Sequence, residues 1–193
     1  MISLIIKILN SYKFNIILIF YYEFKYFLLN YHGWYFKKSI NKNSTDTIPA
    51  PFFFLHKTSI FFKKKNIKSI VDLGCGTGRT LFFFNKKFKN IKVYGIENDK
   101  LNYSLAKKEE NKKIKVFFGD ILKFKFKKKF SVFFLNDPIK QKSKYNSLIK
   151  KILRTGSYLV TVNINFKIDC LKKSKLEYCL QFGEKNLKIY RLR

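Results

Sequence analysis

Four carboxylates in this chain stand at the ends of four apolar runs, each where a β-strand would stop. Ile70-Val71 leads into Asp72 and then Leu73-Gly74-Cys75-Gly76-Thr77-Gly78. Ile91 to Ile96 ends in Glu97, Ile114 to Gly119 ends in Asp120, and Phe130 to Leu135 ends in Asn136-Asp137-Pro138. In an open parallel sheet the carboxyl ends of the strands face one crevice, so these side chains would line a single pocket. The chain has only 12 Asp and Glu against 41 Lys and Arg, and acids scattered over a surface would not collect at one kind of position. Glycines spaced G-x-G-x-G let the backbone turn sharply after a strand and let a ligand meet main-chain N–H groups with no Cβ in the way. A helix from Arg79 to Phe88 would then offer an N-terminus that favours negative charge. The arrangement fits a nucleotide-type ligand, with Glu97 placed to accept bonds from ribose hydroxyls. No structural partner for Glu97 is visible in the sequence apart from a helix starting at Asn98, so its loss is expected to weaken the ligand and spare stability.

With these residues the chain resembles the class I S-adenosylmethionine-dependent methyltransferases. Their hallmark, an acid two residues before G-x-G-x-G, is matched by Asp72 with Gly74, Gly76 and Gly78. The similarity covers roughly residues 48–165 and is nearest to small bacterial members and to seven-strand lysine methyltransferases, which share the D-L-G-x-G-x-G-R run. The resemblance implies an α/β, three-layer Rossmann-like sheet of about seven strands, mostly parallel with a C-terminal antiparallel hairpin. It also implies S-adenosylmethionine as cofactor. Asp72, Gly74, Gly76 and Gly78 would hold it, Glu97 would bind the ribose diol, and Asp120 with Ile121 would hold the adenine. Asn136 and Asp137 would face the methyl group as the catalytic pair, and no metal is called for. Methyl transfer needs mainly in-line positioning of the nucleophile, and a base only when that nucleophile arrives protonated, which is the task expected of Asp137. Where amino-methylating relatives continue with a second proline and an aromatic, this chain has Ile139 and Lys140. Base methylation is therefore disfavoured, and protein lysine, small-molecule and RNA acceptors stay open. A nicotinamide fingerprint would need G-x-G-x-x-G, but Gly78 comes one residue early and Arg79 occupies the place of the third glycine. The alternative functional class is a non-catalytic domain that binds the cofactor, or RNA through its lysines, on an inherited methyltransferase fold.

The elements that must position these residues follow from periodicity. A helix from about Phe52 to Lys64, begun by Pro49-Ala50-Pro51, precedes the first strand, and the segment Ile48 to Phe53 is expected to pack over the cofactor. Asn98 is expected to cap the next helix, with Leu101 and Leu105 toward the sheet. Tyr145, Leu148, Ile149 and Ile152 have the i, i+3, i+4, i+7 spacing of a sheet-facing helix that Gly156 would end, and Tyr158 to Val162 is the fifth strand. Alternating Leu176, Tyr178, Leu180 and Phe182 form one arm of a closing hairpin, and Leu187 to Leu192 forms the other.

At 193 residues the chain divides into an apolar, aromatic helical segment with linker at 1–46 and a catalytic domain at 47–193. The formal charge of +29 suggests nucleic acid or an anionic surface, yet only Arg79, Arg154, Arg191 and Arg193 are arginines, the residue suited to bidentate phosphate recognition. Weak, non-specific nucleic-acid binding is what such lysines support. The run Lys123-Phe124-Lys125-Phe126-Lys127-Lys128-Lys129 reads as a solvated connection between strands. Cys75, Cys170 and Cys179 lack C-x-x-C spacing, which fits a reducing, cytoplasmic setting; Cys75 reads as packing filler, and His32 and His56 as structural. In residues 1–30 the charges Lys7, Lys13, Glu23 and Lys25 leave an uncharged stretch of only Phe14 to Tyr22, whereas a span needs about 18 or more apolar residues. No A-x-A cleavage site follows, so a secretory signal is not expected. Leu4, Ile5, Ile8, Leu9 and Tyr12 share a helical face that suits packing on the catalytic domain or peripheral membrane contact. The residues give no indication of oligomeric state.

Overall fold

The structure is a computed structural model and describes residues 15–29, 49–126, 130–139, 141–182 and 185–192. The face formed by Leu4 to Tyr12, the linker at 37–46, His32, Lys127 to Lys129 and Lys140 lie outside the described residues. Helix α1 (Asn15–Leu28) and helix α2 (Phe52–Lys63) precede strand β1 (Ser69–Leu73). Then come α3 (Arg79–Lys87), β2 (Lys92–Glu97), α4 (Lys100–Lys107), β3 (Ile114–Phe118) and β4 (Phe130–Asn136). Helix α5 (Lys142–Leu153), β5 (Gly156–Val162), β6 (Lys175–Phe182) and β7 (Lys185–Arg191) complete the order.

The seven strands form one sheet in the order β3-β2-β1-β4-β5-β7-β6. The first five pair in parallel, and β7 is antiparallel to both β5 and β6. Parallel strands need a crossover between them, and the helices that supply the crossovers cover the two faces, giving three layers. Side chains alternate across each strand, so Ile70, Val93, Val132 and Val160 enter one core with α1, α2, α3 and Ala106 of α4. Val71, Tyr94, Phe133 and Leu159 enter the other, against Tyr145, Leu148, Ile149 and Ile152 of α5. The same alternation sends Asp72, Gly95 and Glu97 toward the α3 side, a consequence of register: Asp72 pairs with Gly95, and Leu73 with Ile96.

Four local expectations are corrected, the last in part. The cap of α4 is Asp99, whose carboxylate accepts from the Leu101 and Asn102 N–H groups, one residue later than Asn98. A start shifted by one residue turns a helix by about 100°, so Asn102 and Ala106 face the sheet while Leu101 is 52% exposed. Gly156 does not end α5; it opens β5, where a Cβ would come within 2.7 Å of the Phe133 ring. In β6 the register slips between Leu176 and Tyr178, which leaves Leu176 exposed on an edge strand; the alternation holds from Tyr178 onward. The connection after Ile121 keeps Lys123 and Lys125 in solvent, as expected, but Phe124 and Phe126 pack against the α5-side core.

Candidate active site

Gly74, Gly76 and Gly78 all have positive φ (81°, 54° and 91°), the left-handed region that a side chain disfavours. The turn is tied to the end of β2. The N–H groups of Gly74 and Cys75 donate to the Ile96 carbonyl at 2.9 and 3.1 Å, and the buried Gly76 N–H donates to Glu97 Oε2 at 2.8 Å. Glu97 Oε1 accepts from the Asn98 and Asp99 N–H groups at 2.9 and 2.8 Å. Glu97 therefore has structural partners on both sides, and the expectation that its loss would spare stability does not hold. Burial lifts its carboxyl above the ordinary range despite these three bonds.

Asp72 sits beneath the turn, 3% exposed, with the Thr80 side chain at the start of α3 as hydrogen-bond partner. Burial raises its pKa from 3.8 to about 7. Cys75 is buried, and burial pushes its thiol well up, which fits a filler and not a nucleophile. Sequence reading missed the residue that admits this turn to the sheet. A Cβ on Gly95 would lie 2.7 Å from Cys75 Sγ and 2.7 Å from Leu81, so only glycine lets the loop settle on β2.

The β4 motif adjoins the turn, since a Cβ on Gly74 would lie 2.8 Å from Pro138 Cβ. Asp137 has φ 39°, strained for a residue with a side chain, and its Oδ1 accepts from the Tyr145 hydroxyl at 2.6 Å. That hydroxyl in turn accepts from the Ile139 N–H at 3.2 Å. Burial raises the Asp137 pKa, against the opposing pull of the Tyr145 bond and of Lys185. Sequence reading had placed Tyr145 only on an apolar helical face; a hydroxyl on a fully buried position was the available signal. Asn136 Oδ1 accepts from Asn163 Nδ2 at 3.1 Å, and Asn186 donates to Asn165, so amides from the ends of β5 and β7 continue the wall beside Asn136. Asp120, at the end of β3, accepts from the Leu122 N–H at 2.8 Å, and Ile121 is buried in the α5-side core. A Cβ on neighbouring Gly119 would meet no atom within 4 Å, so space remains open at the end of β3, next to Glu97.

Arg79 follows the glycine turn and reaches α1. Its guanidinium lies 2.9 Å from Glu23 of α1 and stacks 4.4 Å from the Phe52 ring centroid, and Glu23 also accepts the Phe52 N–H at 2.8 Å. Ala50 to Phe53 is thereby packed on α1 and Arg79, while His56 is bonded to the Tyr26 hydroxyl at 2.9 Å. A groove beside Lys68, Ser69, Asn90 and Lys92 lies at the opposite, amino-terminal edge of the sheet and carries none of the candidate residues. Among the described residues no cluster of His, Cys, Asp and Glu could hold a metal ion.

Known proteins share this architecture. A family profile described as "Methyltransferase domain" matches residues 64–190. The plantazolicin methyltransferase BpumL, solved in complex with SAH, is 24% identical over 56% of this chain, with a TM-score of 0.50; the match spans 44% of that chain. A Staphylococcus aureus protein described as a caffeoyl-CoA O-methyltransferase is 14% identical over 72% of this chain and 83% of its own, with a TM-score of 0.60. The methyltransferase domain of bacterial CtHen1 is 14% identical over 72% of this chain and 97% of its own, with a TM-score of 0.59. At such identities the shared property is the fold, and no curated protein matches the chain. With the profile covering most of β1 to β7 and the glycine turn in place between β1 and α3, the chain belongs to the family of methyltransferase domains.

Proposed function

We propose that this chain transfers a methyl group from S-adenosylmethionine to an amine or hydroxyl acceptor held at the end of β4. The observation that carries the reading is the junction of three strand ends at one edge: the glycine turn bonded to Glu97 on one side and abutting Pro138 on the other. The residues fit the cofactor. Gly74, Gly76 and Gly78 supply a turn that lacks a Cβ at three positions, Asp72 and Glu97 bring carboxylates to it, and Gly119 borders open space at the next strand end, just before Asp120 and Ile121. The cofactor brings a methyl group on a sulfonium, whose positive charge suits an edge lined by acids. Asp137 takes the proton of the acceptor: Tyr145 fixes the orientation of its carboxylate, and burial makes it a stronger base than a surface carboxylate. Asn136, held by Asn163, orients the acceptor as it reacts.

Lysine, small-molecule and RNA acceptors share that chemistry. Free Cys75, Cys170 and Cys179 support a reducing, cytoplasmic setting. The rival reading, a binding domain without turnover, predicts no labelled product. The test is transfer of label from methyl-labelled cofactor into fractionated extract by the wild type and by Asp137→Ala. Label entering one fraction, reduced about a hundredfold or more in the variant while S-adenosylhomocysteine affinity holds, is expected. Equal transfer by both proteins would remove Asp137 from the chemistry.

A further inference from the structure

Helix α1 has two faces of opposite fate. Its inner face is fixed: Tyr22 and Tyr26 pack on Phe53 and Phe52, and Glu23 pairs with the buried Arg79. A buried ion pair would be broken by rolling the helix, so the outer face is held outward. That face is almost wholly apolar. Ile17, Phe20, Phe24 and Phe27 are 66%, 61%, 63% and 58% exposed, and Leu28 is 63% exposed at the helix end. Apolar residues scattered singly over a surface need no explanation, but a contiguous strip along one helix marks an interaction site.

Charge identifies what the strip meets. Lys25 of α1, Lys57 of α2 and Lys87 of α3 surround the helix, and all three lie near enough to His56 to act on its charge. Their ammonium groups stand over the rings of Tyr21, Phe53 and Tyr26 at 5.6, 5.4 and 5.1 Å, so positive charge is held against the aromatic surface of the helix. The one acid of α1, Glu23, is turned inward onto Arg79. An apolar, aromatic strip rimmed by lysine fits an anionic lipid surface, where the rings enter the acyl boundary and the lysines meet headgroups. The helix has 14 residues, about 21 Å in length, against a hydrocarbon core of about 30 Å. Among the described residues no helix is long and apolar enough to cross a membrane, so α1 would lie in the interface plane.

We infer that the outer face of α1, with Lys25, Lys57 and Lys87, is a peripheral docking surface for an anionic membrane. The candidate catalytic edge contributes nothing to this surface, so the inference stands apart from the proposed reaction. It also assigns the strongly basic composition a partner: each lysine near an anionic surface strengthens binding about fivefold.

The test is co-sedimentation of the full chain with vesicles of phosphatidylcholine alone or mixed with phosphatidylglycerol, at physiological salt. Wild type should pellet with the anionic vesicles. Phe20→Ser combined with Phe24→Ser should weaken that binding about tenfold or more, since it removes two rings from the acyl boundary. These rings are exposed, so the variant should keep its Tm and its S-adenosylhomocysteine affinity. Equal binding by the variant would mean that lysines alone attract the vesicles and would overturn the inference. So would wild type remaining in the supernatant with both vesicle types. A dimer in gel filtration that the same substitutions dissolve would assign the face to a second copy. Slow hydrogen exchange over residues 17–28, accompanied by protection of residues 1–14 in vesicle-free protein, would assign it to the chain itself; either result also refutes the inference.

Discussion

Replacing Glu97 by alanine should make the chain unfold more readily as well as weaken its site. The carboxylate accepts N–H bonds from Gly76 at 2.8 Å, Asn98 at 2.9 Å and Asp99 at 2.8 Å, in a side chain only 7% exposed. Alanine leaves three donors without an acceptor, and an orphaned buried donor costs about 1–3 kcal/mol. Asn98 and Asp99 are half-buried and recover water, so the buried Gly76 N–H carries most of the cost. Relief of the desolvation that raises the Glu97 pKa offsets part of it. A net loss of about 2 kcal/mol lowers Tm by about 4–8 °C in a chain of this size. Glu97→Gln should fall between the two, because its amide keeps an oxygen for Asn98 and Asp99 but turns an NH2 donor toward Gly76. Thermal unfolding followed by circular dichroism, with the S-adenosylhomocysteine Kd measured on the same preparations, decides the matter. A Glu97→Ala variant melting within about 2 °C of wild type would refute the reasoning from these three bonds.

Two further predictions concern buried charge. Asp72 should make the ligand-free chain less stable as pH rises: its pKa goes from 3.8 to about 7 on folding, so over that interval the unfolded state has released a proton that the folded state retains. At about 1.4 kcal/mol per pH unit the full cost above pH 7 is about 4 kcal/mol, and Asp72→Asn should melt higher than wild type at pH 8, match it near pH 4, and bind the cationic cofactor less well. A variant less stable than wild type at pH 8 would contradict this, as read by denaturant unfolding at both pH values. Glu23→Ala, which takes the carboxylate away from the buried Arg79 guanidinium, should cost about 3–5 kcal/mol, and Glu23→Leu with Arg79→Leu should cost less than Glu23→Ala alone. Additive losses in the cycle of Glu23→Leu, Arg79→Leu and the double variant would show that the pair is not coupled.

The sheet was legible in the sequence because its central parallel strands β1, β2 and β4 are buried on both faces and read as apolar runs that end in acids, as from Ile70 to Asp72 and from Phe130 to Asp137. The sheet-facing side of α5 was legible too, since Tyr145, Leu148, Ile149 and Ile152 repeat with the helical period. The face of α4 was not: Leu101 and Leu105 fit the same period, and only the choice between Asn98 and Asp99 as cap distinguishes the two rotations. The contacts that organise the site were also hidden. Glu97 with Gly76, Asp137 with Tyr145, and Glu23 with Arg79 join polar groups across different elements, and one polar side chain carries no periodicity to reveal its partner. Gly95 was invisible for a related reason, because its role is set by the Cys75 and Leu81 side chains that settle over it.

Calorimetric titration of the full chain with S-adenosylhomocysteine, and in parallel with a nicotinamide dinucleotide, tests the central claim most directly. Binding of S-adenosylhomocysteine at one site per chain, lost on substitution of Gly76 by valine in a protein that still melts cooperatively, is the predicted result. Binding of the nicotinamide dinucleotide with none of S-adenosylhomocysteine would contradict the account.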